Sequence, residues 1–246
     1  MNLYPAIGLN ETLAVGSIEE FLSAHELAEL ETIMDRFAGQ DHVRAVHDQL
    51  RTDSIHEIPG QSAAVAMSTY EPNGRVEITG IPSEAESLLQ AAFDRARPRI
   101  SRTLPSVTSC RPWTYVEYGP RQHITAHLDG IAPDPTSWPR QIAGISVTLR
   151  STHTGGDFFV ETTADDSLWD PALTGPVPGY QPDMSFAHDG ADNSSPWFAA
   201  MPRTRWTVSP AAGTALLYGS QLAHGTQPVH TGRCRKFISW LFADQP

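Results

Sequence analysis

The sequence predicts a mostly β fold with flanking helices, a sandwich or jelly-roll barrel buttressed on one side by helices from its N-terminal part. Two observations lead there. The first third carries apolar residues at helical intervals, and from about residue 111 the period changes to short alternating or β-rich runs, most of them separated by turn residues. Strands that follow helices in this way suggest layered β architecture with helices on one side. No internal repeat is visible, and 246 residues suffice for one large core. The reading is a single domain, 1–246, with a helical support region at 17–103 and a β core at 111–241.

The first helix is expected in "SAHELAELETIMDRFAG", where Ser23 and Glu26 have capping-box spacing and Gly39 closes the run. A second is expected in "IPSEAESLLQAAFDRAR", with Glu86 three positions after Ser83 and Pro98 ending it. Their apolar stripes call for a sheet to pack against. Strands are expected in "RPWTYVEYG", "HITAHLDG", "IAGISVTLR", "GDFFVE", "RWTVS", "GTALLYGS" and "KFISWLF". Gly155 and Gly156 read as a turn into one of these strands. Residues 162–205 break the rhythm: they are rich in Pro, Gly, Asp and Ser yet hold Trp169, Tyr180, Phe186, Trp197 and Phe198. An aromatic-rich insertion of this length reads as a packed, lid-like segment.

Composition limits the function classes. A net charge of −11 argues against an extended nucleic-acid surface and against anionic membranes, although one or two arginines can still make a local anion site. No run approaches the roughly eighteen apolar residues of a membrane span. The opening "MNLYPAIGLNETLAVGSIEE" lacks the basic and apolar regions of a secretory signal. Cys110 and Cys234 are too few for a disulfide framework or a thiolate zinc site. The expectation is a cytoplasmic protein with reduced thiols and no nucleic-acid or membrane partner; oligomeric state is not legible.

The chemistry centres on "RQHITAHLDG". On a strand, His127 and Asp129 project from one face and reach a common point, and imidazole with carboxylate is a natural start for a metal site. A third ligand is sought in a later strand context, and His224 in "GTALLYGSQLAHGTQPVHTGRCRKFISWLF" is the best candidate. Two imidazoles and one carboxylate form the facial triad of non-haem Fe(II) oxygenases, whereas structural zinc prefers four protein ligands.

"HLD", "GISVTLRSTHTGGDFFVET", "GTALLYGSQLAHGTQPVHTGR" and the terminal "SWLF" together resemble the Fe(II)- and 2-oxoglutarate-dependent dioxygenases, in particular their prolyl-4-hydroxylase-like branch. His224, Pro228, Val229, Gly232 and Trp240 match that branch in order and spacing, and "IEEFLSAHELAELETIM" is similar to its opening. The resemblance spans residues 17–241, with the 162–205 insertion as the main departure. It implies a double-stranded β-helix (jelly-roll, cupin-like) core, Fe(II) held by His127, Asp129 and His224, and 2-oxoglutarate and O2 as co-substrates. It also implies a basic residue after the distal histidine to hold the remote carboxylate of 2-oxoglutarate. Counting forward from His224 reaches Arg233 or Cys234, and counting back from Trp240 reaches Cys234. A one-residue bulge would turn Arg233 or Arg235 inward, and simple alternation from Trp240 would turn Lys236 inward. Arg233 is placed first and Arg235 next, with Tyr118 as a hydrogen-bond donor to the same carboxylate.

Other polar and aromatic residues have plainer readings. His123 is a partly exposed strand residue or an outer partner of the site, His188 and Asp189 belong to a surface loop, His230 is exposed, and Trp113 and Trp240 are core. Because Asp129 occupies the position that halogenating members give to a small residue, the resemblance implies hydroxylation, with desaturation or cyclisation as variants. The expected substrate is a small molecule enclosed by the lid-like segment, an amino acid or a biosynthetic intermediate. Asp165, Asp166, Asp170 and Asp183 are available to an amine or guanidine. The alternatives are a protein or peptidyl hydroxylase and a non-catalytic metal-binding jelly roll.

Overall fold

The computed structural model describes residues 6–40, 55–131, 137–150, 152–173 and 176–245. Residues 41–54 of the expected helical region and 174–175 of the insertion therefore lie outside the described part. The helices are α1 (Leu9–Thr12), α2 (Ala24–Ala38), α3 (Ala63–Tyr70), α4 (Ser83–Ile100) and α5 (Pro196–Ala200). The strands are β1 (Val15–Ile18), β2 (Val76–Ile78), β3 (Ser109–Cys110), β4 (Thr114–Tyr118), β5 (Ile124–His127), β6 (Arg140–Thr148), β7 (His153–Gly155), β8 (Phe158–Thr162), β9 (Thr204–Val208), β10 (Ala215–Gly219), β11 (Ala223–Thr226), β12 (Val229–Gly232) and β13 (Cys234–Ala243). No described helix is long and apolar enough to cross a membrane.

Two antiparallel sheets carry the fold. The larger runs β1-β10-β6-β13-β4-β2 with β3 on the far part of β13, the smaller runs β5-β11-β8-β9, and β12 pairs with β7. All seven runs expected from the sequence form strands. The six further strands are two to four residues long and too short to show a period. The strand period of two divides the larger sheet into faces. Ala143, Ile145, Val147, Leu217 and Phe237 point outward and join Leu27, Leu30, Met34, Leu89 and Phe93 of α2 and α4 in the main core. Ser146, Tyr218, Lys236 and Ile238 point the other way, toward the smaller sheet.

The helix ends show which local signals governed. Ser23 and Glu26 close a capping box on α2, with the Glu26 N–H donating to Ser23 Oγ at 3.2 Å and the Ser23 N–H donating to Glu26 Oε2 at 2.8 Å. At α4 the expected box is absent. Pro82 is the N-cap, and the Glu86 carboxylate accepts from the Trp113 N–H at 3.0 Å, tying the helix to the sheet. Pro98 does not end α4, which continues to Ile100. The proline costs the helix one donor and a clash with the carbonyl four residues back, but the fully buried Ile100 anchors the last turn in the core and the Ser101 N–H donates to the Arg97 carbonyl at 2.9 Å.

The 162–205 insertion is built into the body. Phe198, Leu168, Met201 and Ala191 pack with Ala126, Phe159 and Ala223 of the smaller sheet. Tyr180, Met184 and Phe186 join the main core. The Leu128 N–H donates to the Ala191 carbonyl at 3.1 Å, so the insertion also touches the chain between His127 and Asp129. Phe198→Ala should lower the free energy of unfolding by about 3–5 kcal/mol, the usual cost of emptying a buried phenylalanine site. Chemical denaturation checks this. A loss under about 0.5 kcal/mol, typical of surface positions, would show that the insertion is not part of the cooperative fold.

Candidate metal centre

β5 and β11 lie side by side with His127 directly opposite His224, and the two rings are 4.6 Å apart between centroids. Asp129 follows two residues after His127. Its Oδ1 stands 3.7 Å from Nε2 of each histidine. Gly130 then turns the chain with a φ of 76°, a conformation that suits glycine, and its N–H donates to the Ser220 carbonyl at 2.9 Å.

The imidazoles are oriented for coordination. His127 Nδ1 donates to the Thr125 carbonyl at 2.8 Å and His224 Nδ1 to the Leu222 carbonyl at 2.9 Å. Each backbone acceptor fixes the proton on Nδ1 and leaves the Nε2 lone pair facing Asp129. Burial holds His127 well below the usual imidazole range, reinforced by the neighbouring His224 and His56. Burial also lowers His224, although Asp129 pulls the other way. Both imidazoles are therefore neutral. Asp129 Oδ2 is buried and has no hydrogen-bond partner among the described residues, which is the signature of a carboxylate awaiting a cation. The donor set suits a six-coordinate divalent metal with open positions, and neither cysteine joins it.

A cavity of about 40 Å3 adjoins the triad between the sheets, lined among others by His56, Arg75, Tyr118, Tyr218, Thr226 and Lys236. Lys236 is only 4% exposed, and Nζ reaches Thr226 Oγ1 on the opposite sheet at 3.3 Å. Among the described residues it forms no ion pair. Burial lowers its pKa. Tyr118 faces the same space, its phenol pushed up to about 12 by burial and so protonated at neutral pH.

The two arginines placed first by the sequence are elsewhere. Arg233 is half-exposed and pairs with Glu117 at 2.7 Å. Arg235 bonds Tyr115 Oη at 2.8 Å and Asp35 at 2.7 Å. Tyr115 and Glu117 lie on the outer face of β4, opposite to Tyr118. The reason is register: β13 pairs without interruption from Cys234↔Tyr118 to Ile238↔Thr114 on β4, and on β6 the one irregularity falls later, between Leu241 and Phe242. No bulge precedes Trp240, so plain alternation turns Lys236 inward.

Other expectations resolve simply. Trp113 is core, whereas Trp240 lines the cavity. His123 Nδ1 lies 3.1 Å from the Arg121 carbonyl, His188 contacts the Trp197 ring in the insertion, and His230 is exposed.

Several residues that no sequence motif marks also surround the site. Tyr70 donates to Asp192 Oδ2 at 2.5 Å and packs its ring 5.3 Å from His127. His56 stacks on Tyr70 at 4.6 Å and bonds Glu71 at 3.0 Å. Tyr218 lies 4.3 Å from the His224 ring over Gly144, where any Cβ would strike the phenol. His56, Glu71 and Glu77 form a second group of converging donors, but the Arg75 guanidinium already pairs with both carboxylates. The available signal was "RVEI": on a strand, Arg75 and Glu77 share a face.

No protein-family model matches this sequence, and no curated protein matches it. Solved structures do. The chain is similar to a prolyl-4-hydroxylase from Pseudomonas putida, at 15% identity and a TM-score of 0.53 over 96% of this chain and 95% of that one. It is similar to a Trichoplax adhaerens prolyl hydroxylase solved with a hypoxia-inducible-factor peptide fragment, at 12% identity and 0.52 over 96% and 84%. It is also similar to AviO1 from Streptomyces viridochromogenes, at 16% identity and 0.52 over 95% and 91%. Likeness at these identities establishes a shared fold.

His127→Ala and His224→Ala should each lower the affinity for Fe(II), measured anaerobically by competition with a chromogenic chelator, by more than about 100-fold, since loss of even an outer-shell partner costs 10–100-fold. A folded variant that binds Fe(II) like the parent would remove that histidine from the centre.

Proposed function

We propose that this chain is an Fe(II)- and 2-oxoglutarate-dependent oxygenase with a jelly-roll core that hydroxylates a C–H bond of a small molecule. His127, Asp129 and His224 would hold the metal, consistent with the committed Nδ1 protons and the orphaned Asp129 oxygen. When bound, Fe(II) with 2-oxoglutarate and O2 supplies the oxidising power for hydroxylation, and 2-oxoglutarate leaves as succinate and CO2.

The observation that carries the co-substrate reading is Lys236. A buried ammonium without a counter-ion is costly and calls for an anion. It faces the same cavity as the triad. Lys236 would hold the remote carboxylate of 2-oxoglutarate and Tyr118 would donate a hydrogen bond to it. Lysine serves here as a compact point charge, where the sequence favoured the fork of arginine.

Burial of the triad favours a small substrate: the side chains of His127, Asp129 and His224 are 3–7% exposed. The insertion contributes Asp192, bonded to Tyr70 beside His127, and so belongs to the wall of the site. Closure of this kind protects a reactive centre from water. A peptidyl substrate is the second reading, favoured by the two structurally similar prolyl hydroxylases.

Anaerobic calorimetry on Fe(II)-loaded variants tests the anchor. Lys236→Ala should weaken 2-oxoglutarate binding by about 100-fold or more, the scale of a lost buried charge pair. Arg233→Ala and Arg235→Ala should stay within about threefold, as expected for residues whose charges are paired with Glu117 and Asp35 away from the cavity. Loss at either arginine with Lys236→Ala unaffected would move the anchor to the other face of β13.

A further inference from the structure

Arg75 is a second cation in the cavity wall, and its surroundings differ from those of Lys236. β2 pairs with β4 in the antiparallel register Val76↔Glu117 and Glu77↔Val116. One position beyond this ladder, Arg75 falls beside Tyr118. Its Nη1 donates to Tyr118 Oη, while Nη2 pairs with Glu71 at 3.2 Å and with Glu77. Glu71 caps the end of α3, and Glu77 lies two residues along β2 on the same face. Two carboxylates thus neutralise the guanidinium. Adjacent loops are clamped as well: Asn73 Nδ2 donates to the Arg121 carbonyl at 3.0 Å, Gln122 Nε2 to the Asn73 carbonyl at 3.1 Å, and the Gly119 N–H to Gln122 Oε1 at 2.7 Å.

The consequence falls on Tyr118. A phenol has one proton and lone pairs that accept. The guanidinium donates into a lone pair, and among the described residues no acceptor takes the phenol proton, which is therefore left to the cavity. Lys236 Nζ stands 5.8 Å from the Tyr118 ring centroid and Arg75 Cζ 5.4 Å from it. We propose that Arg75 is a positioning residue: by donating to Tyr118 it fixes the phenol as a donor, so that Tyr118 and Lys236 present two donors to one carboxylate and select a 2-oxo acid that carries a second acid group. This rests on the co-substrate reading of Lys236. Arg75 does not itself leave its partners to take the ligand, because departure would take the guanidinium from two buried carboxylates.

The test is anaerobic calorimetry of the Fe(II)-loaded protein with 2-oxoglutarate and with pyruvate, which has the 2-oxo acid but no remote carboxylate. Arg75→Lys keeps the charge but not the fork. It should weaken 2-oxoglutarate by about tenfold or more, the weight of one hydrogen bond to a charged group. Pyruvate should bind as it does to the parent. Tyr118→Phe should show the same selective loss, and adding Arg75→Lys to Tyr118→Phe should cost nothing further. Glu77→Gln, which loosens the guanidinium without removing it, should give a smaller loss of the same selectivity and serves where Arg75→Lys does not fold. Equal loss for both ligands would reduce Arg75 to a structural role. Additive loss in the double variant would mean that Arg75 acts on the carboxylate without Tyr118, and an unchanged 2-oxoglutarate affinity would overturn the proposal outright. If the parent binds 2-oxoglutarate no better than pyruvate, the co-substrate reading fails, and with it the role of Arg75.

Discussion

Charge buried between two sheets must be compensated, and this constraint organises the structure around its centre. Arg75, Lys236, Glu71, Glu77 and Asp129 all sit within the body of the protein. Arg75, Glu71 and Glu77 compensate one another. Asp129 and Lys236 do not: among the described residues the carboxylate keeps an unpartnered oxygen, and the ammonium bonds a hydroxyl and forms no ion pair. Among the described residues neither forms an ion pair with a permanent opposite charge, a cation for Asp129 or an anion for Lys236. In the proposed function a divalent metal and a dicarboxylate would satisfy both, and the neutral His127 and His224 would complete the coordination without adding charge.

The fold holds these groups by ordinary means. Pairing of β5 with β11 places the histidines opposite each other, and backbone carbonyls two residues upstream set both tautomers. Unbroken alternation along β13 sends Lys236 across to the smaller sheet. The outer face of the larger sheet is closed by α2 and α4 through a single apolar core. Strands β5 and β11 therefore carry the two histidines, and Asp129 stands two residues past the end of β5.

Local patterns made part of this legible in the sequence. The convergence of His127 and Asp129 was legible because their two-residue spacing is a local fact, although Asp129 lies just past β5, and the apolar run before His224 marked its strand. The capping box of α2 was equally local. Arg233 and Arg235 were expected to point inward because counting forward from His224 crosses β11, β12 and a left-handed Gly232 before β13 begins, and each turn can change the parity of the face. Counting back from Trp240 stays on one strand and keeps parity. Arg75 was legible only in part, through its spacing from Glu77 in "RVEI". Its meaning depends on the pairing of β2 with β4 and on Glu71 at the end of a helix, contacts that no single window of sequence displays. Pro98 shows the converse, a strong local signal outweighed by the burial of Ile100.

Enclosure of the triad, the uncompensated lysine and the insertion beside His127 converge on one account, in which the chain's own residues bind and orient two ligands and shield them from water. The most direct measurement is anaerobic titration of the Fe(II)-loaded protein with 2-oxoglutarate, following the weak visible charge-transfer absorption of a metal-chelated 2-oxo acid. The account predicts a saturable band at one equivalent that is absent without Fe(II). Folded, iron-loaded protein that stays colourless through saturation would contradict it and leave a metal-binding β protein without this co-substrate.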